Sequence, residues 1–188
     1  MDKLPASKKV EDDANDSENK YATVSLQVNN KLKEAIFYIV SKCNEKPSFG
    51  RVNLWKLLYF SDFNFYKKHY VSITGEEYRK LDLGPGPVHF DTTINALTSE
   101  GFIEEKKRGG AKYDPYVYTI KKDMKITHLA PQELRQIDNV IHKLGDCSAT
   151  KISEISHKDT PWKVTDDKEI IDYDLVFYRH DAVAAQVE

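Results

Sequence analysis

The chain has 188 residues, of which 40% are hydrophobic and 31% are charged. This balance is typical of a globular domain with one well-filled core, and it excludes a largely disordered chain. No apolar run approaches the roughly 20 residues that a membrane-spanning helix needs, and the first residues lack the apolar core of a secretory signal. We therefore expect a cytoplasmic protein that does not cross a membrane.

The net charge of −2 can be assigned to the first 20 residues, which hold four lysines and six acids. The rest of the chain then carries 24 basic and 24 acidic side chains. A folded part without excess positive charge has little non-specific attraction for nucleic acid. This balance does not exclude a local basic patch.

The first elements in chain order are a polar leader and two helices. Residues 1–22 lack aliphatic periodicity and are predicted to be a disordered leader. From about Val28, apolar residues at steps of three and four predict a helix that ends near Cys43. Asn53 can cap a second helix, roughly residues 54–70. Apolar residues cover more than one stripe of this second helix, so we expect it to lie in the middle of the domain.

Two turn signals follow the second helix. Residues 73–75 (Ile-Thr-Gly) predict a short turn, and residues 77–83 a brief strand or one helical turn. The next four residues, 84–87, read Gly-Pro-Gly-Pro. Each proline lacks an N–H and restricts the residue before it. We therefore predict a stiff extended corner here, neither strand nor helix.

The remaining chain predicts short helices and one hairpin. Two runs around Gly109-Gly110 indicate a β-hairpin. The other predicted elements are helices over 90–100, 132–144 and 149–156, a corner over 157–163, an apolar element over 170–178 and a frayed end over 180–188. The predicted fold is therefore mainly α with a small β-hairpin (α+β), a single compact helical domain with a winged-helix-like hairpin. Its predicted boundaries are 1–22 for the leader, 23–179 for the domain and 180–188 for the tail.

One acid, Asp62, lies inside the apolar second helix. A carboxylate there needs a partner, a changed protonation state or a wet cleft. One interpretation is a buried acceptor that takes bonds from backbone N–H groups or a tyrosine hydroxyl, near residues 78–88. The other is a groove residue that receives a basic side chain from a partner.

Three sequence motifs occur in a fixed order. The first is residues 56–62 (Lys-Leu-Leu-Tyr-Phe-Ser-Asp), the second is residues 73–75 with Tyr78 and residues 83–88, and the third is residues 156–162 (Ser-His-Lys-Asp-Thr-Pro-Trp). Over about residues 31–175 the chain resembles the Panacea domain, also called the SocA-like antitoxin domain. That family recurs beside many unrelated bacterial toxins and in phage-encoded proteins.

The resemblance implies a mainly helical domain that binds a cognate toxin directly, without a cofactor. It also implies a partner encoded by the neighbouring gene. We interpret most residues of the motifs as scaffold, because Trp after Pro is typical of a core anchor and a Gly-Pro corner lacks the Lys-Ser/Thr of a phosphate-binding loop. The predicted structural residues are Trp55, Gly84, Pro85, Gly86, Pro87, Pro161 and Trp162.

A DNA-binding winged helix is the alternative function. The order of a helix, a short link and a hairpin with a basic tip fits such a fold, and Lys106 and Arg108 could reach phosphates. Against this, the helix that would enter the groove, residues 90–100, contains Asp91 and Glu100 but no Lys or Arg. Base-reading helices usually need such donors, so nucleic acid is not the expected partner.

An enzyme is not expected. Residues 148–151 (Ser-Ala-Thr-Lys) match the Ser-x-x-Lys spelling of some acyl-transfer sites, but the companion motifs are missing. Capping of a helix by Ser148 explains the same residues. The six histidines show no metal-ligand spacing, and we predict neither a metal nor a cofactor.

A protein-binding module remains the preferred interpretation. Tyrosine gives a large contact area with little loss of entropy, and the chain has 11 tyrosines, several of them on the hairpin. We expect an antitoxin-like protein that neutralises its toxin by steric occlusion. The predicted contact residues are Asp62, Tyr59, Lys106, Arg108, Tyr113 and Tyr116.

Overall fold

A computed structural model of the chain describes residues 29–109 and 116–188. The described part is mainly helical with two small antiparallel strand pairs, which confirms the predicted fold class. The elements are α1 (Asn30–Cys43), α2 (Arg51–His69), β1 (Tyr78–Leu81), β2 (Gly84–Pro87), α3 (Phe90–Ser99), β3 (Ile103–Lys107), β4 (Tyr116–Ile120), α4 (Pro131–Leu144), α5 (Ala149–Lys158), α6 (Thr160–Val164), a 3₁₀ helix (Tyr173–Tyr178) and α7 (Asp181–Val187).

Helix α2 lies at the centre of the fold, as predicted from its apolar coverage. It packs against α1, α4, α5, β2 and the 3₁₀ helix. The helix begins at Arg51, earlier than predicted, and Gly50 is its N-cap residue. Asn53 is therefore inside the first turn. Its amide donates to the carbonyl oxygen of Cys147 at 2.7 Å, which ties α2 to the start of α5.

Helix α1 has the predicted one-sided stripe. Asn29 caps it by accepting from the backbone N–H of Leu32 at 3.1 Å; the predicted start near Val28 lies outside the described residues. The stripe also contains an acid whose role the sequence did not suggest. Glu34 accepts from the backbone N–H groups of residues 127–129 at 2.8–3.0 Å. Burial raises the pKa of Glu34, but bonds from His128 and these N–H groups outweigh it and lower the pKa to about 2.

The prediction that residues 84–87 form neither strand nor helix is wrong. They form β2, which pairs antiparallel with β1 in the register Tyr78 with Pro87 and Leu81 with Gly84. The prolines occupy alternate positions, so the glycines between them can supply the N–H groups of the ladder. A strand with proline at every second residue can thus pair on one side only.

The second strand pair is the predicted hairpin. Strands β3 and β4 pair antiparallel from Ile103 with Ile120 to Lys107 with Tyr116. The hairpin follows α3 along the chain and packs against α1 and α3. Its tip, residues 110–115, includes Tyr113 and lies outside the described residues.

The C-terminal end is not the frayed tail that was predicted. Residues 181–187 form α7, in which Val183 and Val187 are buried. The side-chain amide of Asn64 on α2 donates to the carbonyl oxygen of Val187 at 2.6 Å. Two buried valines and this bond hold the end against the core. Across the described ranges, none of the helices is both long and apolar enough to span a membrane.

Candidate partner-binding site

The three sequence motifs converge on α2. Successive turns of this helix present Trp55, Lys56, Tyr59 and Asp62, and each of these side chains contacts another part of the motifs. Apart from Trp55, all of them are fully buried. The motifs therefore build one internal framework around α2.

Asp62 is the buried acceptor of the first interpretation. Its carboxylate accepts from the backbone N–H of Thr74 at 2.9 Å, from the Thr74 hydroxyl and from the Tyr78 hydroxyl at 2.7 Å. Burial raises the pKa of Asp62 to about 6, although these bonds oppose the rise. Since none of its surface is exposed, Asp62 is not the groove residue of the alternative interpretation.

Tyr59 is also buried rather than available to a partner, because its hydroxyl donates to Asp159 at 2.8 Å. Arg179 binds the same carboxylate through two parallel bonds of 2.7 and 2.9 Å, and it further contacts Asn64 and Glu188. Burial lowers the pKa of Arg179, but Asp159 outweighs it and raises the pKa above its ordinary value. The sequence places Asp159 in the predicted corner over residues 157–163 and gives Arg179 no role.

Lys56 lies against the first glycine of β2. Its Nζ donates to the Pro85 carbonyl oxygen at 2.9 Å. Gly84 has φ +97°, and a Cβ there would lie 2.4 Å from Ser156 Oγ and 2.7 Å from Lys56 Cε. A Cβ at Gly86 would lie 2.6 Å from a methyl carbon of Leu81. Close packing of β2 against α2 and α5 therefore requires glycine at position 84, whereas a side chain at position 86 would have to displace Leu81 of β1.

The buried Lys56 predicts a distinctive pH dependence. Burial lowers its pKa to about 7, whereas an unfolded lysine keeps its proton up to about pH 10. Between these values the unfolded chain binds more protons, so stability should rise with pH. We expect the free energy of unfolding of the wild type, relative to Lys56→Met, to rise by about 2 kcal/mol from about pH 7 to pH 9 in urea titrations. A parallel pH dependence of the two proteins would contradict this assignment.

A groove of about 670 Å³ opens beside this framework. Its walls come from the start of α2, the turn after β1, the first residue of β4 and the exposed side of α5. The lining residues include Arg51, Val52, Asn53, Trp55, Leu83, Tyr116, Ala149, Thr150, Ser153, Glu154 and His157. We call this cavity the α2–α5 groove. A neighbouring depression of about 610 Å³ shares the lining residues Trp55 and Leu83 with it.

Trp162 lines the neighbouring depression and is only half-buried. It is therefore less buried than the predicted core anchor. Its ring stacks on His157 with centroids 4.3 Å apart, and its Nε1 donates to the Leu81 carbonyl oxygen at 3.3 Å. Lys80 lies 4.6 Å above the ring centroid. Burial and the nearby Lys56 lower the pKa of His157, which favours a neutral imidazole beside the groove.

The charge of Arg51 in the groove is balanced. Its guanidinium binds Asp91 at 2.9 Å and Glu105 at 3.0 Å, and it lies 4.0 Å from the centroid of the Tyr116 ring. Burial lowers the pKa of Arg51, but Glu105 outweighs this and raises it. The guanidinium therefore serves as a fixed, neutralised part of the wall, and Tyr116 is held half-buried beneath it.

The predicted basic contact residues lie on the hairpin. Lys106 and Arg108 are exposed, and Lys106 pairs with Glu104 at 2.9 Å, as does Lys121 at 2.7 Å. The structure does not bring these residues together with Asp62 or Tyr59. Asp91 on α3 binds Arg51 of α2, and Glu100, the C-cap residue of α3, binds Lys33 of α1. The DNA-binding alternative gains no support.

The residues considered for chemistry have structural explanations. Ser148 caps α5 by accepting from the backbone N–H of Lys151 at 3.2 Å. Among residues 29–109 and 116–188, no cluster of three His, Cys, Asp or Glu side chains could hold a metal ion. In the predicted corner over residues 157–163, His157 stacks on Trp162, and Asp159 is neutralised by Arg179.

The fold and this site describe a helical protein with an internal polar framework and an open apolar groove. The family model for the SocA-like antitoxin, Panacea domain, matches residues 54–163, which is more than half of the chain and spans α2 to α6. The chain therefore belongs to this antitoxin-like family. Searches of curated proteins and of solved structures returned no match.

Proposed function

We propose that this protein neutralises a cognate toxin by binding it directly and covering its working surface. The observation that carries the proposal is the family match over residues 54–163. The structure is consistent with a binding role, since the motif residues Lys56, Tyr59, Asp62 and Asp159 are buried in the scaffold. A rigid framework of this kind presents a surface without rearranging, which limits the loss of entropy on binding.

The proposed contact region combines the exposed hairpin and the α2–α5 groove. Lys106, Arg108 and Tyr116 remain proposed contacts on the hairpin, and Tyr113 belongs to its tip outside the described residues. Asp62 and Tyr59 are no longer proposed, because a partner cannot reach them. We further propose that the functional domain extends from about residue 23 to the C-terminal helix α7, and that the protein acts in the cytoplasm without enzymatic activity.

The test is co-expression with the product of the neighbouring gene. Induction of that gene alone should arrest growth, and co-expression of this protein should restore it. The two proteins should also co-purify and elute together in size-exclusion chromatography. A neighbour that is harmless, or that stays toxic when this protein is in excess, would contradict the proposal. A titration of duplex DNA at low salt serves as the control for the alternative function, and no binding is expected.

A further inference from the structure

An exposed aromatic surface lies at the C-terminal end of α2. Tyr70, the C-cap residue of this helix, is 74% exposed, and its ring stacks on that of Phe177 with centroids 5.3 Å apart. The Tyr66 ring, one turn earlier, lies 6.1 Å from Phe177, and its hydroxyl donates to Asp174 at 2.7 Å. Asp174 and Phe177 are three residues apart in the 3₁₀ helix, so they share one face of it. We call these four residues the Tyr70 surface.

The backbone conformation of Tyr70 does not favour a tyrosine. Its φ of +58° and ψ of +21° lie in the left-handed region, which disfavours residues with a Cβ. Glycine is the usual residue where a helix ends in this conformation. Because most of the Tyr70 ring is exposed, its burial does not offset the backbone strain. A tyrosine at such a position is typical of a binding surface, where tyrosine is enriched.

Elsewhere in the protein, three half-buried aromatic rings each form a trio with an acid and a basic side chain. The basic group lies over the ring in each trio, with these distances to the ring centroid: Lys42 and Tyr38 at 5.2 Å, Arg51 and Tyr116 at 4.0 Å, and Lys80 and Trp162 at 4.6 Å. The acids are Asp138, which accepts from the Tyr38 hydroxyl, Glu105, which pairs with Arg51, and Asp167, which pairs with Lys80. A cation is attracted to the ring face and to a carboxylate, which explains the repeated arrangement.

The Tyr70 surface has the rings and the acid of such a trio but no cation from the part of the chain that the structure describes. In that part, no Lys or Arg lies over the rings of Tyr66, Tyr70 or Phe177. Asp174 and its exposed neighbour Asp172 likewise form no ion pair there. These two acids repel nucleic acids and anionic membranes. The complementary occupant is a positively charged side chain of another polypeptide.

Arginine fits this surface better than lysine does. The planes of the Tyr70 and Phe177 rings are inclined by only 27°, and a planar guanidinium can stack on such ring faces. The same group can donate two N–H bonds to a carboxylate. Among the described residues, only the Tyr66 hydroxyl bonds the Asp174 carboxylate, through Oδ1, so its other oxygen is available. A lysine ammonium is a more strongly hydrated point charge and gains less from the rings.

We propose that the Tyr70 surface binds an arginine side chain of the toxin. The guanidinium packs against the exposed rings and donates to Asp174. The surface lies about 28 Å along α2 from Arg51 at the opposite end of the helix, so it is a second contact, separate from the hairpin and the α2–α5 groove. The inference rests on the proposed function, since the toxin supplies the arginine.

The variant Tyr70→Gly separates a binding role of the ring from a structural one. Glycine favours the left-handed conformation, so the variant keeps the end of α2 while it loses the ring. We expect a melting temperature within about 3 °C of the wild type. The Kd for the product of the neighbouring gene, measured by isothermal titration calorimetry with the full-length protein, should rise about 10-fold or more.

The variant Asp174→Asn tests the charge of the surface. Asparagine keeps an oxygen for the Tyr66 hydroxyl but removes the negative charge. The Kd should rise about 5-fold or more at low salt, and it should depend less on ionic strength than that of the wild type. The matched control is Asp138→Asn, since Asp138 is also exposed and accepts from the Tyr38 hydroxyl at 2.8 Å, but Lys42 already lies over that ring. It should change the Kd less than about 2-fold.

The arginine itself is identified from the toxin side. Each arginine of the toxin is replaced with alanine, and the Kd is measured with the wild type and with Asp174→Asn. One replacement should raise the Kd about 5-fold or more with the wild type and have little further effect with Asp174→Asn, because the two groups act as a pair. Lysine at the same toxin position should restore the affinity only in part.

The outcomes separate the two claims. Wild-type protein that does not bind the toxin would overturn the proposed function, and this inference with it. Wild-type protein that binds, with unchanged affinity in Tyr70→Gly and Asp174→Asn or with no toxin arginine coupled to Asp174, would overturn the inference alone. A dimer of the free protein that Tyr70→Gly dissociates, without a change in toxin affinity, would assign the surface to a second copy of the chain and would also overturn it.

Discussion

Replacing Arg179 with methionine should lower the free energy of unfolding by about 3–5 kcal/mol. The substitution keeps much of the side-chain volume but leaves the fully buried Asp159 without its two bonds of 2.7 and 2.9 Å. An uncompensated buried carboxylate is far more costly than an absent ion pair. Among the residues that the structure describes, only the Tyr59 hydroxyl would remain to bond it. Urea unfolding monitored by circular dichroism measures the loss.

Two further variants show whether the effect comes from the buried charge. Arg135→Met removes an exposed arginine of α4 and should change stability by less than about 0.5 kcal/mol. The double variant Asp159→Asn with Arg179→Met removes both charges and should recover part of the lost stability. If Arg179→Met is as stable as the wild type, the described ion pair does not hold the third motif in place.

Replacing Asp62 with alanine should lower the free energy of unfolding by about 2–4 kcal/mol. The change removes the acceptor of the Thr74 N–H, the Thr74 hydroxyl and the Tyr78 hydroxyl, and it leaves a cavity beside α2. Asp62→Asn keeps the volume and one acceptor oxygen, so it should cost less. Thermal and urea unfolding at neutral pH measure both variants.

Binding separates the two interpretations of Asp62. Because the carboxylate is fully buried, the fraction of Asp62→Asn that remains folded should bind the toxin with wild-type affinity. Measurement well below the melting temperature keeps folding and binding apart. A folded Asp62→Asn protein with weakened binding would show that the residue acts on the partner, against the structural assignment.

The residue pattern could predict elements whose signal is local. The stripe of α1 and the full apolar coverage of α2 follow from side-chain spacing along one helix. The bonding of Asp62 was also accessible, because its partners lie only 12 and 16 residues further along the chain. The strand β2 was missed because proline argues against strands in general. Its glycines alternate with the prolines, and the N–H groups of the glycines are sufficient for pairing with β1 on one side.

The remaining features depend on contacts between distant parts of the chain. Asp159 and Arg179 are 20 residues apart, with α6 and the 3₁₀ helix between them. Nothing in the local pattern around either residue indicates the pair. The α2–α5 groove exists only because α2, α5 and the hairpin meet. The burial of Tyr59 likewise follows from the position of Asp159.

The anchoring of Asp159 has a consequence for the exchange of parts between related antitoxins. The family match ends at Lys163, yet the counter-ion of Asp159 is Arg179, and Arg179 itself contacts Glu188 at 3.0 Å. A chimera that carried only residues 54–163 into a homologous scaffold would inherit a buried acid and leave its neutralising group behind. Swapped segments should therefore run to the end of α7, so that donor and recipient do not each hold half of one ion pair.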